Sequence, residues 1–340
     1  MPAARLKLTW KPDEGGGGAE LDSESPNQPK LGVNRSPGKS SATHFPRTVF
    51  KGEKTMPAPT GKNAIIVHSE GDLTVWAASA FSDNYVWLIG LGDKWLAAVD
   101  PGDCAQAAAF LESRGDLALR EIWVTHEHDD HTRDALKLKN FAEGLNAIRL
   151  GQAAAPVAMR AHPALRWDDG HASLSRERSL PLGFRATMEP TPGHTLHCVS
   201  HILTEPGPNG RKHVFCGDAL FAAGAGRIFT GTAKQAFESF RFFASLDDRD
   251  LLYPAHEYTR NNLRFALEIE PGNKEIEKRL DTLATPSLPT TAGLEKRTNP
   301  FLRCSQDSVR AGLLERGAIE RTASDLEVFA ALRRLKDDWR

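Results

Sequence analysis

The heptapeptide Thr125-His126-Glu127-His128-Asp129-Asp130-His131, set directly after the apolar run Ile122-Trp123-Val124, constrains this chain more than any other segment. The chain has 12 histidines in 340 residues. At that frequency three histidines and an aspartate at these fixed positions would arise by chance in about one such chain in a thousand. In an extended loop His126 and His128, two residues apart, project to the same side, while Asp130 and His131 continue past them and can serve a second centre. The pattern calls for a buried strand that opens into a loop built around two metal ions. A surface loop that happens to be rich in histidine explains neither the order of the residues nor their place behind an apolar strand.

One motif cannot complete two coordination spheres, and further donors close later apolar runs. Thr191-Pro192-Gly193-His194-Thr195 sets a histidine after a Pro-Gly turn, Cys216-Gly217-Asp218-Ala219-Leu220 a carboxylate after a strand, and Tyr253-Pro254-Ala255-His256-Glu257-Tyr258 repeats the arrangement. Taken alone, His194 and His256 could be ordinary loop histidines and Asp218 a helix N-cap. Beside the first motif they read as the missing ligands.

The segment from Leu73 to about residue 255 alternates short strands with helices. Leu73-Thr74-Val75-Trp76 and Tyr85-Val86-Trp87-Leu88-Ile89 are rich in β-branched and aromatic residues and flank the turn formers Ser82-Asp83-Asn84. Trp95 to Val99, Ile122 to Val124, Val214 to Cys216 and Leu251 to Tyr253 are further apolar runs, while Ala105 to Arg114 and Thr232 to Leu246 carry helical patterns. Glu205-Pro206-Gly207-Pro208-Asn209-Gly210 looks like a hairpin turn. After Tyr258 strand signals vanish, and helices are predicted over 261–269, 273–283, 308–315 and 324–339, the last opening on the capping-box pattern Ser324-Asp325-Leu326-Glu327. The expected organisation is a disordered extension over 1–70, with Gly15-Gly16-Gly17-Gly18 and scattered prolines, a layered α/β catalytic domain over 71–257, and a helical domain over 258–340. Met56 offers an alternative start.

Charge excludes several functions. With 43 Lys plus Arg against 44 Asp plus Glu, the net charge of -1 leaves no footprint for nucleic acid or an anionic membrane. The longest apolar stretches, such as Ala64-Ile65-Ile66-Val67, fall far short of the roughly 18 residues of a spanning helix. Four cysteines without a CxxC pair fit neither a disulfide framework nor a zinc ribbon, so a reducing, cytoplasmic setting and a monomer are expected.

The order HxHxDH, Gly-His, Gly-Asp and a final His resembles the metallo-β-lactamase superfamily. The flanking residues narrow the likeness to glyoxalase II, the hydroxyacylglutathione hydrolases: Ser82-Asp83-Asn84-Tyr85, Asp100-Pro101-Gly102, Thr191 to Thr195, Gly217 to Phe221, Gly226-Arg227, His256 to Thr259 with Asn261-Asn262-Leu263, and Asn299 to Arg303. The resemblance implies an αββα sandwich with a smaller helical C-terminal domain. It implies that His126, His128 and His194 bind one metal, that Asp130, His131 and His256 bind the other, and that Asp218 bridges them. Such a donor set, nitrogen and oxygen without thiolate, suits two zinc ions, with iron or manganese as alternatives. Cys198, four residues past His194, is then a buried structural cysteine. The implied substrate is S-D-lactoylglutathione, cleaved to glutathione and D-lactate, with Asp130 orienting the nucleophile and Arg227, Tyr258, Arg333 and Lys336 contacting glutathione. Phe229 stands where the family commonly has tyrosine, so one glutathione hydrogen bond is expected to be missing. The rival readings are a persulfide dioxygenase, which should lack the helical domain, and a nuclease of the same superfamily, which should carry a basic exosite.

Overall fold

The computed structural model describes residues 64–151, 154–165 and 177–339. The first sheet runs β1 (Ile65–Glu70), β2 (Leu73–Ala80), β3 (Asn84–Leu91), β4 (Trp95–Val99), β5 (Ala118–Trp123) and β6 (Ala158–Arg160), in that order. Neighbours are antiparallel as far as β4, and β4, β5 and β6 are parallel. Helices α1 (Ala105–Ser113), α2 (Asp129–Thr132) and α3 (Ala135–Leu150) belong to the crossovers that parallel pairing requires. The second sheet is ordered β14 (Thr290–Thr291), β13 (Leu251–Pro254), β10 (Lys212–Gly217), β9 (Val199–Thr204), β8 (Arg185–Pro190) and β7 (Glu177–Ser179). A small ribbon pairs β11 (Leu220–Phe221) with β12 (Gly224–Ala225).

Alternation along the strands builds the layers. Tyr85, Trp87, Ile89 and Leu91 of β3 point between the sheets, where they meet Phe215, Tyr253 and Leu203 of the second sheet and Phe184 just before β8. The intervening residues Val86, Leu88 and Gly90 are buried too, beneath the helical layer, so beyond Asn84 the strand is an apolar run instead of an alternation with polar residues. Fully burying each large aliphatic side chain, such as Leu88 or Ile89, contributes about 1.5–3 kcal/mol. On its other face the second sheet offers Ile202, Val214 and Leu252 to α4 (Ala233–Ala244) and to the C-terminal helices, through Phe240, Phe265, Phe301, Leu313, Phe329 and Leu332. The result is helix, sheet, sheet, helix: the expected αββα sandwich.

The C-terminal segment folds as α5 (Thr259–Ile269), α6 (Lys274–Asp281), α7 (Ala292–Thr298), α8 (Asp307–Glu315) and α9 (Asp325–Asp338). Ser324 caps α9 with the expected reciprocal bonds to Glu327. Two expectations need correction. Ile65–Glu70, placed within the disordered extension, is strand β1, and the rest of that extension up to residue 63 lies outside the described residues. Strand pairing also continues past Tyr258, because Thr290 and Thr291 add β14 to the edge of β13.

Candidate metal centre

Loops at the ends of β5, β8, β10 and β13 converge on one spot. Three short main-chain links hold them together: Val199 donates to the Thr125 carbonyl at 2.9 Å, Ala255 to that of Gly217 at 3.1 Å and Tyr85 to that of Ala255 at 2.8 Å. Two glycines let the backbone come this close. A Cβ on Gly102 would sit 1.9 Å from the Asp130 carbonyl oxygen, and Gly217, at φ +51°, would drive one to 2.2 Å from Thr125 Oγ1.

All seven expected ligands meet here. His128 Nδ1 lies 3.0 Å from both His126 Nε2 and His194 Nε2. Asp130 Oδ2 lies 3.4 Å from His131 Nε2 and from His256 Nε2. Asp218 stands between the two groups, Oδ2 3.5 Å from His194 Nε2 and Oδ1 3.5 Å from His131 Nε2 and 3.4 Å from His256 Nε2. Four donors placed around zinc at its usual bond lengths are about 3.3 Å apart, which is the spacing these atoms keep. His131 Nε2 and Asp218 Oδ1 are buried yet make no hydrogen bond. Buried polar atoms are costly when unpartnered, so an orphan nitrogen facing an orphan carboxylate oxygen fits a pair of cations between them.

The opposite edge of four of the five rings is also held. His126 Nδ1 meets Thr125 Oγ1 at 3.1 Å, His131 Nδ1 meets Asp100 Oδ2 at 3.0 Å, His194 Nδ1 meets the Arg227 carbonyl at 2.7 Å and His256 Nδ1 meets Asp83 Oδ1 at 2.7 Å. Asp100 also accepts the main-chain N–H and hydroxyl of Thr125, both at 2.7 Å. Asn84 donates to Asp130 Oδ2 at 3.0 Å. Such partners aim a ligand and set its tautomer. Asp83, Asn84, Asp100 and Thr125 carried no assigned role in the sequence, although their turn motifs, Ser82 to Tyr85 and Asp100 to Gly102, stood out.

Electrostatics favour positive charge at this spot. Burial, with the imidazoles of His131, His194 and His128, holds His126 well below the ordinary histidine range, and burial also lowers His194. Burial opposes charge on His256, but Asp218, then Asp130 and Asp83, outweigh it and lift its pKa to about 9. His131 is raised in the same way, with Asp218 and Asp100 overcoming burial. Burial of Asp130 works toward protonation, but hydrogen bonds from His131 and His256 overcome it and keep the carboxylate ionised. Without metal the acids hold protons on two imidazoles, and cations at the centre would displace those protons.

The expected substrate residues take varied positions. The ring of Tyr258 stacks on His256 with centroids 4.8 Å apart. Arg227 is exposed and pairs through Nε with Asp337 at 3.2 Å, while its carbonyl holds His194. Arg333 shares a helix with Lys336 but turns inward, only 7% exposed, and donates to the Ala225 carbonyl at 2.6 Å and to Asp337 at 3.0 Å. The Lys336 ammonium sits over the rings of Trp339 and Phe265, at 4.1 and 5.1 Å. Phe229 is 58% exposed and set edge-on to His128 and His194. Cys198 is buried, with Sγ 3.3 Å from the Thr195 amide and its thiol pushed up to about 12 by burial, and it joins no ligand group among the described residues.

Residues 81–256 match the profile of the metallo-beta-lactamase superfamily, and residues 257–339 match the one described as the hydroxyacylglutathione hydrolase C-terminus. The hydroxyacylglutathione hydrolase of Photobacterium profundum is 38% identical over 274 residues, covering 78% of this chain and 100% of the relative. That of Pseudomonas savastanoi pv. phaseolicola is 39% identical over 274 residues with the same coverage. The crystal structure of ETHE1 from Myxococcus xanthus aligns with 75% of this chain and 93% of its own at 21% identity, with a TM-score of 0.47.

Proposed function

The chain belongs to the hydroxyacylglutathione hydrolases of the metallo-beta-lactamase superfamily, and from that premise we propose that it is a dinuclear metal-dependent thioesterase that hydrolyses S-D-lactoylglutathione to glutathione and D-lactate. The observation that carries this reading is the convergence of seven nitrogen and oxygen donors in two groups joined by Asp218. His126, His128 and His194 would hold one divalent ion, Asp130, His131 and His256 the other, and Asp218 both, with zinc as the first candidate. A bound pair of divalent ions supplies hydroxide at neutral pH and draws electron density from the substrate carbonyl.

The residues of the chain supply orientation. The Asp130 side chain is 40% exposed against 10% for Asp218, so Asp130 is the carboxylate open to the substrate side. Held by Asn84, it can accept a hydrogen bond from the attacking water and fix its direction. A thiol of pKa about 8.5 leaves as thiolate without a proton donor, so a thioester suits a site that offers no separate acid. Tyr258, stacked on His256, Arg227, whose carbonyl holds His194, and Lys336 on α9 are the proposed glutathione contacts, whereas Arg333 supports the loop that carries Arg227. The match of residues 257–339 to the hydrolase C-terminus weighs against a persulfide dioxygenase. A reducing, cytoplasmic setting accords with the four buried free cysteines, and a monomer acting on a small thioester is part of the proposal.

Thiol release from S-D-lactoylglutathione tests the proposal. Asp130→Asn should keep its fold and lose at least about a hundredfold in kcat, while a variant that kept the full rate would remove Asp130 from the reaction.

A further inference from the structure

Three residues remote from the catalytic loops form another cluster of donors. His68 of β1, Glu205 just past β9 and His213 of β10 place their ligand atoms within 4.8 Å of one another. His213 and Asp218 are five residues apart, one at the start of β10 and the other beyond its end, which is about 16 Å of extended chain. We propose that the imidazoles of His68 and His213 and the carboxylate of Glu205 form a third cation site, separate from the catalytic pair, that takes a divalent ion of the zinc type and ties the edge strand of the first sheet to the second.

Four observations carry this. His68 Nε2 is buried without a hydrogen-bond partner, and its ring lies 4.9 Å from that of His213. The pairing of β1 with β2 slips between Ile66 and His68, a bulge of the kind that re-aims a side chain. The His213 ring is fixed by its Nδ1 contact to the Tyr253 hydroxyl at 2.9 Å, which leaves Nε2 facing Glu205 Oε1 at 2.9 Å, the same arrangement of ligand and supporting partner that the catalytic histidines show. The His213 side chain is fully buried while that of Glu205 is 22% exposed, so solvent reaches the cluster from one side and can complete the coordination.

The charges around the cluster are compatible with a cation. Arg211 faces both histidines and opposes a positive ion, but it pairs with Glu70 at 2.9 Å, and Glu205 adds a second negative charge. Burial first, then Arg211, lowers the pKa of His68. Burial lowers that of His213 to about 4 although Glu205 pulls the other way. Both imidazoles are therefore neutral at pH 7, the form that binds metal. Two imidazoles and a carboxylate suit zinc and its neighbours better than magnesium or calcium.

The test is a metal count on the full-length enzyme equilibrated at a fixed free zinc concentration, then separated from unbound ions and measured by mass spectrometry. Wild type should retain one zinc ion per chain more than His68→Gln and more than Glu205→Gln, with thioester hydrolysis unchanged in both variants. Two variants are used because Glu205 lies at the surface and its change to glutamine spares the fold should β1 not tolerate loss of His68. Equal counts in wild type and both variants overturn the proposal. The readout is a difference of one ion, so it holds whatever the catalytic centre binds, and a failure of the catalytic reading would appear instead as absent thioester hydrolysis in all three proteins.

Discussion

Asp100 shows how much of the centre depends on residues that touch no metal. Its two oxygens accept the Thr125 amide and hydroxyl and face His131 Nδ1, so one carboxylate sets both the start of the ligand loop and the aim of a ligand. We expect Asp100→Asn to fold but to bind metal about 10–100-fold more weakly, as losses of such partners do. A competition titration against a chromogenic chelator measures this, and an unchanged affinity would mean that the ligand loop holds itself. The seven candidate ligands were legible in the sequence because their motifs each follow an apolar run and the order of those motifs resembles that of the superfamily. Asp100 and Asp83 were visible as turn residues and as parts of motifs similar to the family's, but without a role, since nothing in a lone Asp-Pro-Gly says which imidazole its carboxylate will meet. His68, Glu205 and His213 were not legible as a group, because single polar residues on β1, just past β9 and on β10 make no pattern until the two sheets pack together.

At the scale of elements, strands buried on both faces were readable as apolar runs, as β3 and β4 illustrate. β1 and β7, with Glu70, Glu177 and Arg178, are partly exposed edge strands whose composition carries no alternation to read. Helix α9 bears most on function. The spacing of Arg333 and Lys336 put both on one face of α9, but tertiary packing separates their roles, because Arg333 is spent on the carbonyls of Ala225 and Gly226. Arg333→Ala should cost about 1–3 kcal/mol through those unsatisfied carbonyls, seen as a lower Tm. An unchanged Tm with a raised KM would return Arg333 to the substrate contacts. Burial first, then Arg333, lowers the Lys336 pKa to about 7. An amine with a depressed pKa is charged below that value and neutral above it, so its attraction for a glutathione carboxylate fades as pH rises through 7. KM should climb by about fivefold at most between about pH 6 and pH 8, the factor that corresponds to ~1 kcal/mol for a partly exposed pair, and Lys336→Met should flatten the profile. A wild-type KM that did not change with pH would detach Lys336 from the substrate.

Across the whole molecule, four loops at one edge of the sandwich hold a cluster of imidazoles and carboxylates in which His131 Nε2 and Asp218 Oδ1 have no hydrogen-bond partner. The helical segment packs on the second sheet through a shared apolar core, so its last helix lies against the loop that carries Arg227. The account therefore rests on metal at that edge, and its most direct test is the dependence of thioester cleavage on bound ions. His68→Gln protein is stripped by a chelator, dialysed and titrated with zinc while thiol release from S-D-lactoylglutathione is followed. The rate should fall to background on stripping and return in full when two ions per chain have been restored. Stripped protein that still cleaved the thioester at the starting rate, with no metal detectable, would contradict the account.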